Sequence, residues 1–344
     1  MGEGLCKIIE KKWMIMDLQW NKLDYCNILV TGATGLVGSS IIDLLMKHSV
    51  KNCHIYASGR NKSRAKTKFS KYYDKENFHF FRYDVEKPLE SEIKFDYIIH
   101  AASNASPNFF ATNPVGVIMS NIIGTKNLLD YGREHGMKRF LYISSGEVYG
   151  NGDVEKWHET DSGYVDCMTM RSCYPTSKRA AETLCVAYAK QYDVDVVVAR
   201  LCHTYGSNFT EQDNRAYVQF FIKALQGEDI VLKSTGDQYR SWLYVEDCAS
   251  AILTILLNGQ SCEAYNVADE TSCVTIKELA EKIAKLGKVK VVFDLPSDIE
   301  RKGFSVIKKA TFDTSKLLDL GWKAKYSLDE GLKSTFEKLI LQKS

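Results

Sequence analysis

Asn27-Ile28-Leu29-Val30-Thr31-Gly32-Ala33-Thr34-Gly35-Leu36-Val37-Gly38 is the stretch on which the fold of this chain turns. An apolar run ends in a glycine turn, and the turn opens into a segment with apolar positions at helical spacing. Strand, turn and helix in that order are the context in which a Gly-x-x-Gly-x-x-Gly string binds a dinucleotide. Gly32 and Gly35 allow the tight turn and the close approach of a pyrophosphate, and Gly38 lets helix meet strand. Leu36 and Val37 complete the set of cofactor-binding positions here, with phosphate on the helix N-terminus.

Outward from this stretch the pattern repeats. Strands are predicted at 28–30, 54–57, 78–83, 97–100, 139–144 and 194–199, and helices at 38–48, 114–135 and 176–192. Such alternation predicts an α/β chain with a Rossmann-type doubly wound parallel sheet, covered on both faces. After Arg200 the order loosens into loops, a helix around 218–225 and short elements to Lys343, which reads as a smaller C-terminal substrate-binding lobe. The expected division gives 27–202, with about 242–258, to the dinucleotide-binding domain and 203–241 with 259–344 to the smaller lobe. Leu5 to Leu23 reads as an amphipathic helical extension packed outside the first strand.

The strand ends supply further cofactor-binding candidates. Asp84 and Val85 close the third predicted strand beside adenine, and Ala101, Ala102 and Ser103 close the fourth. The second ends Ala57-Ser58-Gly59-Arg60-Asn61-Lys62, without the Asp or Glu that binds a ribose 2′-hydroxyl, and Arg60 suits a 2′-phosphate. Arg60 stacked on adenine or solvated would leave NAD acceptable. The residues therefore leave NAD and NADP both open.

Composition narrows the class. With 344 residues and 45% hydrophobic content the chain can bury a full core and build two lobes around one cleft. Its 45 basic and 43 acidic residues give a net charge of +2, which lacks the electrostatic footprint of a nucleic-acid binder. The ten cysteines are scattered without a Cys-x-x-Cys pair, and apolar runs such as Ala251 to Leu257 are too short to cross a bilayer. Met1 to Trp20 lacks the charged, apolar, small-residue order of a signal peptide. A cytoplasmic protein without membrane attachment is the expectation.

The second informative stretch is Arg171-Ser172-Cys173-Tyr174-Pro175-Thr176-Ser177-Lys178, downstream of Ser144-Ser145-Gly146-Glu147-Val148-Tyr149-Gly150. Tyr174 and Lys178, at i and i+4, share one helix face. An ammonium held there favours the phenolate and lowers the tyrosine pKa from its reference near 10. Cys173 beside them reads as a small buried residue.

From Asn27 to the C-terminus the chain resembles the extended short-chain dehydrogenase/reductases that act on nucleotide sugars, the NAD-dependent epimerase/dehydratase family. The resemblance rests on the glycine turn, Ala105-Ser106-Pro107 with Asn113-Pro114, Asn121-Ile122-Ile123-Gly124-Thr125, the Ser145 segment, Tyr174 through Thr183, Asp213-Asn214-Arg215 and Arg240-Ser241-Trp242-Leu243-Tyr244-Val245. The Arg-x-Cys-Tyr lead-in, Lys178-Arg179-Ala180-Ala181-Glu182-Thr183 and the Asp-x-Arg segment point to the branch of UDP-glucuronate decarboxylases. The resemblance implies a nucleotide-sugar enzyme that transiently oxidises sugar C4 with bound NAD and decarboxylates UDP-glucuronate to a UDP-pentose or its 4-keto form. It implies Tyr174 as base, Lys178 as its partner and ribose ligand, Ser145 on the C4 oxygen and Glu147 for proton handling. Ser106, Phe110, His203, Arg215 and Arg240 fall at substrate positions, and a homodimer is expected through helices 114–135 and 176–192.

Three positions depart from the family pattern. Gly146 stands where the decarboxylases carry Ser and the 4,6-dehydratases Asp, so this chain has no acid there for a departing hydroxide. His203 replaces an Asn, and Phe110 replaces a Tyr near the sugar. A 4-epimerase, dehydratase or ketoreductase acting on another nucleotide sugar stays open as an alternative, and a non-catalytic dinucleotide sensor as a more distant one.

Overall fold

A computed structural model of the chain describes residues 18–48, 50–210, 213–295 and 308–343. The order of its larger sheet follows from burial. β1 (Asn27–Thr31) is buried along nearly its whole length, as a strand covered on both faces must be. It pairs in parallel with β2 (His54–Gly59) on one side and β4 (Tyr97–His100) on the other. β3 (Phe78–Arg82), β5 (Arg139–Ser145), β6 (Val196–Leu201) and β10 (Glu263–Val267) extend it to seven strands in the order β10-β6-β5-β4-β1-β2-β3. The order reverses between β1 and β4, and ligands of such sheets lie at the carboxyl ends of the strands beside that switch.

Strand alternation divides the core in two. Ile28, Val30, Leu141, Ile143, Val197 and Ala199 face a layer with α1 (Leu36–Lys47) and α7 (Val245–Asn258). Leu29, Phe140, Tyr142, Val196 and Val198 face the opposite layer, which includes residues of α4 (Pro114–Glu134) and α5 (Cys173–Tyr192). Two short helices, α2 (Lys62–Lys68) and α3 (Pro107–Thr112), follow β2 and β4 near the cleft.

The smaller body has its own core around Val218, Phe221, Leu279, Ile283 and Leu332. β9 (Tyr239–Tyr244) pairs there with β7 (His203–Tyr205), β11 (Cys273–Thr275) and β13 (Lys309–Ala310). β8 (Ile230–Leu232) pairs in parallel with β12 (Val291–Phe293). α6 (Ala216–Gln226), α8 (Ile276–Gly287) and α10 (Leu328–Lys343) complete this body, and α9 (Ser315–Asp319) lies beside β10.

Two boundaries differ from the sequence expectation. β10, within the range assigned to the smaller lobe, instead completes the large sheet, with Glu263 opposite Val197 and Val267 opposite Leu201. Residues 242–244, assigned to the larger domain, are the end of β9 in the smaller body. Of the expected helix from Leu5 to Leu23, residues up to Asp17 lie outside the described ones, and Trp20–Leu23 forms one turn of 3-10 helix. Among the described residues no helix is long and apolar enough to cross a membrane.

Candidate active site

All the candidate residues named from the sequence line one cleft of about 1960 Å³ at the carboxyl ends of the large sheet. Ligand pockets usually measure roughly 300–1,000 Å³, so this one has room for two ligands side by side. At the glycine turn, Gly32 has φ +62°, and a Cβ there would stand 2.5 Å from the Ala101 carbonyl oxygen. A Cβ on Gly38 would meet the Gly32 carbonyl at 2.4 Å. Any side chain at either place would push β1, α1 and the end of β4 apart. Thr31 Oγ1 ties those strands together, accepting from the Ala102 amide at 3.3 Å and sharing a 2.8 Å hydrogen bond with His100 Nδ1.

Tyr174 sits in the first turn of α5, so its ring is fixed against the end of β5. It is 6% exposed, stacks on Phe110 at 4.9 Å between centroids, and shares a hydrogen bond with Ser145. Burial and then the Glu147 carboxylate push its phenol well above the usual tyrosine range, against Ser145, Arg215 and Arg171. Lys178, 2% exposed, donates to the Ile143 carbonyl at 2.7 Å. Its Nζ lies 4.6 Å from the Tyr142 ring centroid and 5.8 Å from that of Tyr174. Burial lowers Lys178 to about 7, opposed by Glu182. The depression of Tyr174 expected from Lys178 is not found: desolvation dominates both groups, the groups that lower the phenol are Ser145, Arg215 and Arg171, and the lysine is turned to a carbonyl rather than to the phenol.

Glu147 does not stand alone. Arg171 Nη2 donates to both its carboxylate oxygens at 2.8 Å, while the same guanidinium lies 4.7 Å from the Phe110 ring centroid. Arg171 thus links the carboxylate, Phe110 and, through that ring, Tyr174. Between Ser145 and Glu147, Gly146 is covered by the buried Phe312 ring, whose Cζ lies 2.3 Å from where a Cβ on Gly146 would stand. Phe312 carries no motif in the sequence; only the tertiary contact reveals it.

The residues following Lys178 prove to be structural supports. Arg179 donates to the carbonyls of Val148, Tyr149 and Gly163, fixing the loop beyond Glu147. Glu182 accepts from Ser144 and takes a 2.7 Å ion pair from Arg200. Arg200 in turn donates at 3.1 Å to the Tyr149 hydroxyl, which donates to Asn266 Oδ1 at 2.6 Å. A closed polar chain of this kind holds the end of β5, and with it Ser145, in one position.

The far wall comes from the smaller body. His203 opens to solvent on the cleft side, yet the surrounding protein, then Arg240 and Arg215, hold its imidazole down at about 3, so it is neutral at ordinary pH. Arg240 is 5% exposed and donates to the Tyr239 carbonyl at 3.0 Å; burial lowers it to about 10, leaving it charged near neutrality. Asp213 orients Arg215, accepting from its Nε at 2.9 Å. Ser106 donates to Asn214 Oδ1 at 2.8 Å, joining the segment after β4 to that wall. Neutral imidazole and charged guanidiniums suit an anionic ligand.

The other end fits a dinucleotide. The glycine cradle leaves backbone where a pyrophosphate needs it, and the buried hydroxyls of Ser58 and Ser103 line the cleft without a hydrogen-bond partner among the described residues. Asp84 and Val85 lie just beyond β3, and the Val85 carbonyl accepts from Asn127 at 2.9 Å.

Comparison with known proteins agrees in kind. The sequence profile of the NAD dependent epimerase/dehydratase family matches residues 28–268. The chain is 34% identical over 309 residues to UDP-glucuronic acid decarboxylase 6 of Arabidopsis thaliana, covering 89% of this chain and 86% of that one. It is 35% identical over 320 residues to UDP-glucuronic acid decarboxylase 1 of Danio rerio, covering 91% and 72%. Among solved structures, UDP-glucose 4-epimerase of Thermotoga maritima with UDP-glucose superposes with a TM-score of 0.80 at 25% identity, over 92% of this chain and 100% of that one. UDP-glucuronic acid 4-epimerase of Bacillus cereus, in complex with UDP-glucuronic acid and NAD, shares the fold with a TM-score of 0.78 at 22% identity, over 92% and 100%.

Proposed function

The chain belongs to the NAD dependent epimerase/dehydratase family, and from that premise we propose that it decarboxylates UDP-glucuronate to a UDP-pentose by transient oxidation at sugar C4. The observation that carries this reading is Gly146 under Phe312, between Ser145 and Glu147. A dehydratase must protonate a departing hydroxide, and position 146, where that family carries its acid, has no proton to give and, under the Phe312 ring, no room for a side chain. A carboxylate leaves as carbon dioxide without such help. The curated relatives at 34% and 35% identity are named for that reaction.

The large sheet is the dinucleotide-binding body and the smaller body holds the nucleotide sugar. Gly32, Gly35 and Gly38 admit the pyrophosphate, with Leu36 and Val37 at the helix start, Asp84 and Val85 beside adenine, and Ala101 to Ser103 along the nicotinamide half. NAD, when bound, supplies a reversible two-electron acceptor. Tyr174 takes the C4 hydroxyl proton as its phenolate, a form whose burial cost the Lys178 ammonium, 5.8 Å from the ring centroid, and the cationic ring of bound NAD would offset, and Lys178 binds ribose. Ser145 donates to the oxygen at C4. A ketone at C4 makes the C6 acid a β-keto acid, so the bond to carbon dioxide breaks and its electron pair moves into an enolate on that same oxygen. Ser145 is already aimed there, which stabilises charge as it forms. Glu147, steadied by Arg171, is the carboxylate available to handle the proton that C5 then takes up. Arg215 and Arg240 receive the diphosphate or the carboxylate, with Ser106, Phe110 and His203 completing the sugar side.

The exposed faces of α4 and α5 support a homodimer: Val115 and Met119, one turn apart, are 63% and 41% exposed, and Val186 is 41% exposed. The cysteines described are all free, which suits the reducing cytosol in which we place the protein. Incubation with UDP-glucuronate and NAD is expected to release carbon dioxide and a UDP-pentose. A product of unchanged mass, epimerised at C4, would assign the epimerase reaction instead.

A further inference from the structure

The adenosine end of the cleft lacks the group that usually reads a ribose diol. β2 closes on Ser58 and Gly59, and no Asp or Glu occurs from Ala57 to Tyr73. A Cβ on Gly59 would lie 3.8 Å from Thr34 Oγ1, so this strand end borders the glycine turn. The Ser58 hydroxyl is buried, lines the cleft and has no partner among the described residues. Burial without a partner is costly unless a ligand satisfies the group.

Two cations on the same wall have no pairing partner among the described residues. Arg60 is exposed and Arg64 half-buried; both line the cleft, and among the described residues neither guanidinium has a hydrogen bond or ion pair. Asn61 offers no acceptor to a ribose diol there, because its Oδ1 already accepts from the Arg64 amide at 2.9 Å and from Ser63 at 2.8 Å. The carboxylate nearest in sequence on the other side, Asp43, is engaged by Lys71 and Tyr72, each at 2.9 Å. Asp84 and Glu86 belong to the segment after β3, where the Glu86 amide donates to Asp84 at 3.3 Å. A ribose diol wants an acceptor at this place, whereas a phosphate wants donors and positive charge. A serine hydroxyl serves either ligand, and two unpaired guanidiniums serve the phosphate.

We infer that the adenosine end admits a 2′-phosphate, so that the enzyme binds NADP(H) as well as NAD(H), with Arg60 and Arg64 on the phosphate and Ser58 donating to it or accepting from the 2′-hydroxyl. The inference rests on the proposed function only in requiring a nicotinamide dinucleotide. A redox-neutral cycle returns its electrons at each turnover and is indifferent to which pool supplies them.

The test is direct binding, read from the fluorescence of NADPH and of NADH titrated with the full-length protein. Wild type is expected to saturate with both, at dissociation constants within about tenfold of each other. Arg60→Ala is expected to weaken NADPH by about tenfold or more, the worth of a charge-assisted hydrogen bond, and to leave NADH unchanged. Saturation by NADH alone overturns the inference and spares the proposed reaction. Failure of both nucleotides to bind overturns the dinucleotide site itself. An equal loss of both in Arg60→Ala would make Arg60 a group that stacks on adenine, and the inference falls.

Discussion

Gly146 and Phe312 share one volume: the place of a Cβ on Gly146 lies 2.3 Å from the end of the Phe312 ring. The ring is buried, tilts against Tyr149 at 5.8 Å between centroids, and closes the wall on which Ser145 and Glu147 stand. The glycine is thus the condition for an apolar surface between two polar groups.

Substitution at this point should be felt in stability and in rate together. Gly146→Ala forces the ring aside and is expected to cost about 1–3 kcal/mol, as overpacking does, with a fall in turnover because Ser145 and Glu147 flank it. Phe312→Leu in the same chain is expected to recover part of both. Chemical denaturation and product formation measured on the single and double variants check this; a double variant no better than the single one would deny the shared volume.

Tyr174→Phe removes the hydroxyl proposed to begin the oxidation and keeps the ring that stacks on Phe110 at 4.9 Å. Turnover is expected to fall by about 10²–10⁴, the usual worth of a positioned base, with the unfolding midpoint nearly unchanged. Near-normal rates would remove Tyr174 from the chemistry.

Lys178 carries a pH signature. Its folded-state pKa, about 7, lies below the ordinary lysine value of 10.5. Between those two values the unfolded chain binds the extra proton, so this residue makes stability rise as pH rises through the window, and below pH 7 the full cost of burying the charge is present. Relative to wild type, Lys178→Met is therefore expected to gain least at pH 9 and most near pH 6. Denaturant titrations at several pH values check the slope, and a difference that ignores pH would show the lysine is not depressed.

Glu182 and Arg200 form a pair whose side chains are 11% and 14% exposed. Removing the acid alone strands a guanidinium and frees Ser144. Glu182→Ala is expected to lose roughly 3–5 kcal/mol of stability, whereas an exposed pair such as Lys223 with Glu228 is expected to be worth under about 1 kcal/mol. Equal losses for Glu182→Ala and Glu228→Ala in parallel unfolding curves would refute the contrast.

Much of the large sheet is legible in the sequence because its strands are apolar runs closed by turn residues. β10 is not, since Asn266 interrupts its short apolar run. In the structure that side chain is satisfied by Tyr149, Trp157 and Asp313, which offsets the cost of a polar residue in a buried strand. α5 begins at Cys173 instead of the expected Thr176, because Pro175 falls in the first turn, where a missing amide proton breaks no helical hydrogen bond. The motif residues of the cleft are readable one by one. Their supports are not: Phe312 over Gly146, and Arg171 between Glu147 and Phe110, arise from contacts between distant segments, which local periodicity does not encode.

The backbone passes repeatedly between the two bodies with little slack. Cys202 alone separates β6 from β7, Tyr244 at the end of β9 runs directly into α7, and the chain returns once more to give β10 before leaving for β11. Two parts stitched at so many points cannot part like jaws on a single hinge. Traffic of a bulky ligand in and out is then a matter of loops and side chains at the rim, and the floor on which the reaction happens keeps its shape from one turnover to the next.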